Sequence, residues 1–135
     1  LGSGKGRTLL MASEYPFRKI VGVELIAELH RAAVENIRAY KSATQRCSRM
    51  ETVCADACEF AFPAEPLLLY LFNPLPEVGM RRLIDNLEKS LAENPRAAYV
   101  LYHNPLLEHV IGERAAFQKV GGTEQYSIYF GSGRP

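Results

Sequence analysis

The sequence has no tryptophan and, in 135 residues, only three cysteines and three histidines. Cys47, Cys54 and Cys58 are odd in number and match neither the paired CxxC spacing of zinc sites nor a disulfide framework. They read as free thiols of a reducing compartment, and the expected location is the cytoplasm. No apolar run approaches the roughly 20 residues needed to span a bilayer, and no signal peptide is visible, so no membrane partner is expected. Excess charge is lacking as well: 16 Lys+Arg against 15 Asp+Glu leave a formal charge of +1. That balance gives no electrostatic footprint for nucleic acid, and such a partner is not indicated. With no internal repeat and no low-complexity linker, residues 1–135 are expected to form one domain with a core of its own.

What the sequence does have is an alternation of short β-like runs with longer helical ones. "RTLLMASEY" reads as a short helix stopped by Pro16, since proline disfavours helical geometry in the residue before it. "KIVGVE" is a strand, a compact β-branched run that ends at Glu24. From Ala27 to Tyr40, Leu29, Ala33, Ile37 and Tyr40 recur at spacings of three and four, with charged residues on other faces, and predict an amphipathic helix. "METVCADA" holds a strand ending near Asp56. The unbroken apolar run Leu67–Phe72 predicts a strand buried on both faces and halted at Asn73-Pro74. Met80, Leu83, Ile84, Leu87 and Leu91 form a helical stripe, and "AAYVLYHNP" is again a strand with a proline stop. A short helix from about Leu106 to Phe117 then leads to Gly121-Gly122, "YSIYF" is the last strand, and "GSGRP" reads as a frayed tail.

This rhythm predicts an α/β fold: a doubly wound, mostly parallel sheet with helices on both faces and an antiparallel last strand. In such sheets ligands sit beyond the carboxyl ends of the strands. Polar residues gather at those places: Gly2 to Gly6, Glu24, Asp56, Asn73 and the Tyr102-His103-Asn104 stretch. Taken singly, each has a plain structural reading. A glycine triplet can be a turn, Glu24 a solvated strand end, Asp56 a helix N-cap and Asn73-Pro74 a turn. Their order, each at a strand end of one pattern, favours a common ligand.

The opening "LGSGKGR" narrows the choice of ligand. A dinucleotide fingerprint wants a third glycine three residues after the second, where Arg7 stands. A triphosphate loop wants Ser or Thr directly after Gly-Lys, where Gly6 stands. The loop resembles instead the glycine-rich first motif of class I S-adenosylmethionine-dependent methyltransferases, and the likeness extends over most of the chain. It implies a Rossmann-like fold, S-adenosylmethionine as cofactor, and a central strand ahead of Leu1, so that the chain would begin after that first strand. It further implies that Gly2, Ser3, Gly4 and Gly6 cradle the cofactor and that Glu24 holds its two ribose hydroxyls. Asp56 would lie beside the adenine, and Leu25 and Ala57 would also contact the cofactor. "FNPLP" is similar to the family's fourth motif, which in its Asn-Pro-Pro-aromatic form marks many amine methylators. Asn73 is therefore expected to position the acceptor as well as to touch the cofactor, and nitrogen is the expected acceptor rather than oxygen or carbon. Leu75 and Pro76 depart from that motif. His103 is the candidate proton acceptor, since imidazole titrates near neutrality. The acceptor itself, protein or small molecule, is not specified. Two alternatives stand beside this expectation: a non-catalytic cofactor-binding remnant of the same fold, and a nucleotide- or NAD-binding domain.

Overall fold

A computed structural model describes residues 1–134. It forms two compact units, Leu1–Ala57 and Cys58–Pro135. In the first, α1 (Arg7–Ala12) leads to β1 (Ile20–Glu24), then α2 (Ala27–Ala39) and β2 (Met50–Cys54). β1 and β2 pair in parallel, Ile20 opposite Met50 through Glu24 opposite Cys54. Leu9, Ile20 and Cys47 make the small core, with Ala12, Ile37 and Met50 packed on it. Buried Ser13 ends α1: its hydroxyl donates to the Leu10 carbonyl at 2.6 Å. Its own carbonyl accepts the Arg46 and Cys47 N–H groups at 2.7 and 2.9 Å.

Two glycines permit this packing. Gly6 precedes α1 with φ 88°, and a Cβ there would come within 3.3 Å of Ala33 Cβ on α2. Gly22, inside β1, lies under α1, where a Cβ would come 2.6 Å from Leu9 Cδ1 and 2.7 Å from Ser3 Oγ. Gly22→Ala is accordingly expected to lower stability by about 1–3 kcal/mol, the usual cost of overpacking. Urea unfolding checks this, with a shift of midpoint at unchanged slope.

The second unit contains β3 (Leu67–Leu71), α3 (Glu77–Glu93), β4 (Ala98–His103), α4 (His109–Gly112), β5 (Gln118–Gly122) and β6 (Tyr126–Gly131). Its four strands run in the order β3-β4-β6-β5. β3 and β4 are parallel, and β6 is antiparallel to both β4 and β5. The expected α/β architecture with an antiparallel last strand is thus present, and each sheet is flanked by helices. The α3 stripe Met80, Leu83, Ile84, Leu87 and Leu91 is buried, and so are Leu69 and Leu71 of β3 and Val100 and Tyr102 of β4. Each large side chain so buried contributes about 1.5–3 kcal/mol. Arg96 closes the carboxyl end of α3: its guanidinium donates to the Ser90 and Asn94 carbonyls at 2.9 and 2.7 Å and to the Glu65 carbonyl at 3.1 Å. The carbonyls that end a helix lack helical partners, and a cation there complements the helix dipole.

Four details differ from the sequence-based expectation. The helix read over residues 106–117 is a turn plus the four residues of α4. β5 has no counterpart in that expectation; it pairs with β6 across an irregularity between Lys119 and Gly121. β3 buries Leu69 and Leu71, while Leu68 and Phe72 are 45% and 56% exposed, so it is not buried on both faces. The tail is not frayed over residues 131–134: Gly131 ends β6 and the Ser132 carbonyl accepts the Arg96 N–H at 3.0 Å. Pro135, the last residue of that expected tail, lies outside the described residues. Among the described residues no helix is long and apolar enough to cross a membrane.

Candidate functional site

In the first unit the glycine loop lies on the carboxyl end of β1. The Gly2 and Ser3 N–H groups both donate to the Val23 carbonyl, at 2.8 and 3.1 Å, and the Gly6 N–H turns back to the Ser3 carbonyl at 2.9 Å. The Gly4 N–H donates to Glu24 Oε2 at 2.8 Å, and Glu24 Oε1 accepts the Ile26 N–H at 2.9 Å. Glu24 is 7% exposed, so this carboxylate is both buried and built into the loop. Each of its two oxygens thus accepts one backbone N–H, and a carboxylate oxygen has a second lone pair with which it can accept a hydroxyl proton.

The Ala55 N–H donates to the Glu24 carbonyl at 3.2 Å, which brings the end of β2, with Asp56 and Ala57, alongside the end of β1. Leu25 and Ile26 follow Glu24 with 65% and 56% of their surface exposed, apolar side chains left in solvent beside a carboxylate. The sequence-predicted residues Gly2, Gly4, Gly6, Glu24, Leu25, Asp56 and Ala57 therefore share one edge of this unit. Ser3 does not present its hydroxyl there. Its Oγ is buried without a hydrogen-bond partner, packed over Gly22. Ile26 is an addition to the predicted set; the exposed Leu-Ile pair directly after the strand-ending acid is the signal that points to it.

The direction of the loop's donors tests which ligand fits. A phosphate cradle presents several backbone N–H groups outward to an anion. Here those of Gly2, Ser3, Gly4 and Gly6 are all taken by protein acceptors. The space in front of Gly4 is open, with nothing within 4 Å of where a Cβ would stand. An open, Cβ-free surface edged by a carboxylate and two exposed aliphatic side chains suits a neutral nucleoside with free sugar hydroxyls, and adenosyl compounds have that chemistry.

In the second unit, Asn73 and Asn104 end β3 and β4 in left-handed backbone geometry, with φ 42° and 47°. Such geometry in a residue with a side chain costs of order 1–3 kcal/mol and persists only where the surroundings impose it. They do so here. Asn73 Nδ2 donates to the Asn104 carbonyl at 2.8 Å, and the Asn104 N–H donates to the Gln125 carbonyl at 2.7 Å. The Tyr102 hydroxyl donates to Asn73 Oδ1 at 2.7 Å and accepts the Leu107 N–H at 3.2 Å. Tyr102 is fully buried, and that burial raises its pKa and keeps it a donor. Three loops are thereby tied into one rim.

His103 stands on that rim. Its Nδ1 is 3.0 Å from the Tyr70 hydroxyl, and its ring lies 4.9 Å from that of Phe72 at 34°. Burial also raises the Tyr70 pKa, which keeps that phenol neutral. Cavities of about 480 and 350 Å³ lie against His103. Tyr70, Phe72 and Gln125 are further additions to the predicted set. Tyr70 and Phe72 share strand parity within "LLLYLFN", which a period-two count could have found. Gln125 carries no sequence signal.

No protein-family model matches the chain, and no curated protein matches it. Solved structures do. The PH0226 protein from Pyrococcus horikoshii OT3 superposes with a TM-score of 0.63 at 14% identity, over 97% of this chain and 79% of its own. N-methyltransferase NodS from Bradyrhizobium japonicum WM9 gives 0.62 at 12% identity, over 96% of this chain and 80% of its own. Magnesium protoporphyrin IX methyltransferase from Synechocystis PCC 6803, solved with bound SAM, gives 0.61 at 10% identity, over 96% and 65%. The chain has the Rossmann-like fold of the class I S-adenosylmethionine-dependent methyltransferases.

Proposed function

We propose that the protein binds S-adenosylmethionine and transfers its methyl group to an acceptor. The observation that carries this reading is the bond from the Gly4 N–H to buried Glu24, in a loop whose N–H groups at Gly2, Ser3 and Gly6 are also turned inward. That arrangement supports a neutral nucleoside over a phosphate. In this reading Gly2, Gly4 and Gly6 give the cofactor close access to the backbone, and Glu24 accepts from its ribose. Leu25 and Ile26 supply apolar contact to the adenine, with Asp56 and Ala57 beside it. When bound, the cofactor supplies a methyl group already activated by its sulfonium. The protein's part is then to position the acceptor and to take its proton.

The likeness of "FNPLP" to the motif of amine methylators supports nitrogen as the accepting atom. Asn73 has both ends of its amide engaged by Tyr102 and Asn104, and that supports a proton acceptor elsewhere, at His103. The test is thermal. A ligand present at 100 times its Kd stabilises the folded state by about 2.7 kcal/mol. S-adenosylhomocysteine is expected to raise the melting temperature, with NAD and ATP leaving it unchanged. A shift with NAD or ATP alone would replace the reading with the nucleotide-binding alternative. A shift with S-adenosylhomocysteine but no methyl transfer to any supplied acceptor would support the non-catalytic one.

A further inference from the structure

The two cavities beside His103 differ in chemistry, and the difference selects an acceptor. The larger, of about 480 Å³, is lined by Tyr70, Leu101, His103, Gln125, Tyr126 and Ile128. Its size falls in the range of small-molecule sites, roughly 300–1,000 Å³. Its lining includes no Asp, Glu, Lys or Arg. Nothing in that lining would pair with the charge of a cationic amine or of a phosphate; the Glu124 carboxylate lines the second cavity instead. The uncharged lining thus weighs against an acceptor that arrives charged, and Leu75 and Pro76 already depart from the motif through which "FNPLP" favours nitrogen. An uncharged ring laid on Leu101 and Ile128 gains apolar burial, and the tyrosines offer it edge contacts. The second cavity, of about 350 Å³, is lined by Phe72, His103, Asn104, Glu124 and Gln125 and takes polar substituents.

His103 borders both cavities, held by Tyr70 through Nδ1 and by the Phe72 ring. When Nδ1–H donates to the Tyr70 oxygen, the lone pair is on Nε2, the nitrogen through which the ring can address a ligand. We propose that the methyl acceptor is a small, neutral aromatic compound carrying a hydroxyl, seated in the larger cavity with its O–H directed at His103 Nε2. The O–H bond breaks, its electron pair stays on oxygen, and the proton joins Nε2. A phenolate and an imidazolium result, and the imidazolium later returns its proton to water. Methylation of that oxygen rests on the methyl-transfer reading, whereas seating and deprotonation of the phenol can be tested without it.

The probe is 4-nitrophenol, whose phenolate absorbs visible light, with benzylamine as a cationic comparison and S-adenosylhomocysteine binding followed on the same samples. Below the pH at which free 4-nitrophenol ionises, the full chain is expected to bind it and show phenolate absorbance, with displacement of the His103 ring signals in NMR. His103→Gln, at an exposed position, is expected to cut that absorbance about tenfold or more while the response to S-adenosylhomocysteine is kept. Binding of benzylamine in preference to 4-nitrophenol overturns the inference, and so does phenolate absorbance unchanged in the variant. If 4-nitrophenol fails to bind while S-adenosylhomocysteine does, the acceptor class is wrong and the cofactor reading stands. If 4-nitrophenol behaves as expected and S-adenosylhomocysteine does not bind, the cavity is assigned and the methyl-transfer reading falls.

Discussion

Glu24→Gln is expected to weaken S-adenosylhomocysteine binding tenfold or more while the chain stays folded. An ionised carboxylate only accepts, and Glu24 accepts on both oxygens, from the Gly4 N–H at 2.8 Å and the Ile26 N–H at 2.9 Å. Glutamine has one accepting oxygen, so its NH₂ must face one of those N–H groups or turn away from it. A buried donor left unsatisfied costs about 1–3 kcal/mol. On the ligand side, each hydrogen bond to a charged acceptor is worth about 1.5–3 kcal/mol. Losing one ribose bond therefore reduces affinity by roughly tenfold to a hundredfold. Calorimetric titration with a parallel melt separates the two effects. A lowered melting temperature with unchanged affinity would confine Glu24 to holding the loop. Glu24→Asp keeps the charge but withdraws it by one methylene, and is expected to lose affinity as well, because one shortened carboxylate cannot span Gly4 and Ile26.

The sequence displays elements whose signal is local and hides those whose signal is not. α3 is legible because five apolar residues at helical spacing have no competing reading, and all five are buried. Glu24 is legible because the β-branched run of β1 stops on it. β5 is not, because "QKVGG" offers one large apolar residue and two glycines. Its strand geometry comes from pairing with β6 rather than from its own propensity. The closing glycines look like a tail for the same reason. Gly131 is instead needed for close approach, since a Cβ there would lie 2.8 Å from the Phe117 ring. At the site, residue types are legible but not their commitments. Nothing near Asn73 announces that Tyr102, 29 positions away, will occupy its amide oxygen. Nothing near Ser3 announces that its hydroxyl will lie on Gly22.

Glu108 governs the second large effect, which concerns acid stability. Its Oε1 accepts from Lys119 Nζ at 2.6 Å, Ser127 Oγ at 2.7 Å and the Tyr129 hydroxyl at 2.9 Å, joining the segment before α4 to β5 and β6. Lys119 first, then Ser127 and Tyr129, lower its pKa from 4.5 to about 2. Because the folded value lies below the unfolded one, the stabilisation is complete above pH 4.5 and is lost as the pH falls toward 2. The Glu108 side chain is 34% exposed, so solvent screening reduces the contribution to about 1–2 kcal/mol. Tyr129 sets the opposite limit. Burial and the Glu108 carboxylate raise its pKa from 10 to about 12. It releases its proton less readily when folded, so its contribution holds below pH 10 and fades as the pH climbs toward 12. Glu108→Ala leaves the hydroxyls of Ser127 and Tyr129, residues 1% and 4% exposed, without their acceptor. That is expected to cost about 2–3 kcal/mol at neutral pH, or roughly 6–15 °C in melting temperature. The variant is also expected to lose less stability than the parent between pH 5 and 3, because the group that titrates there is gone. Scanning calorimetry of both proteins across that interval decides it. Parallel acid profiles would mean that the three hydrogen bonds on Glu108 carry no net free energy.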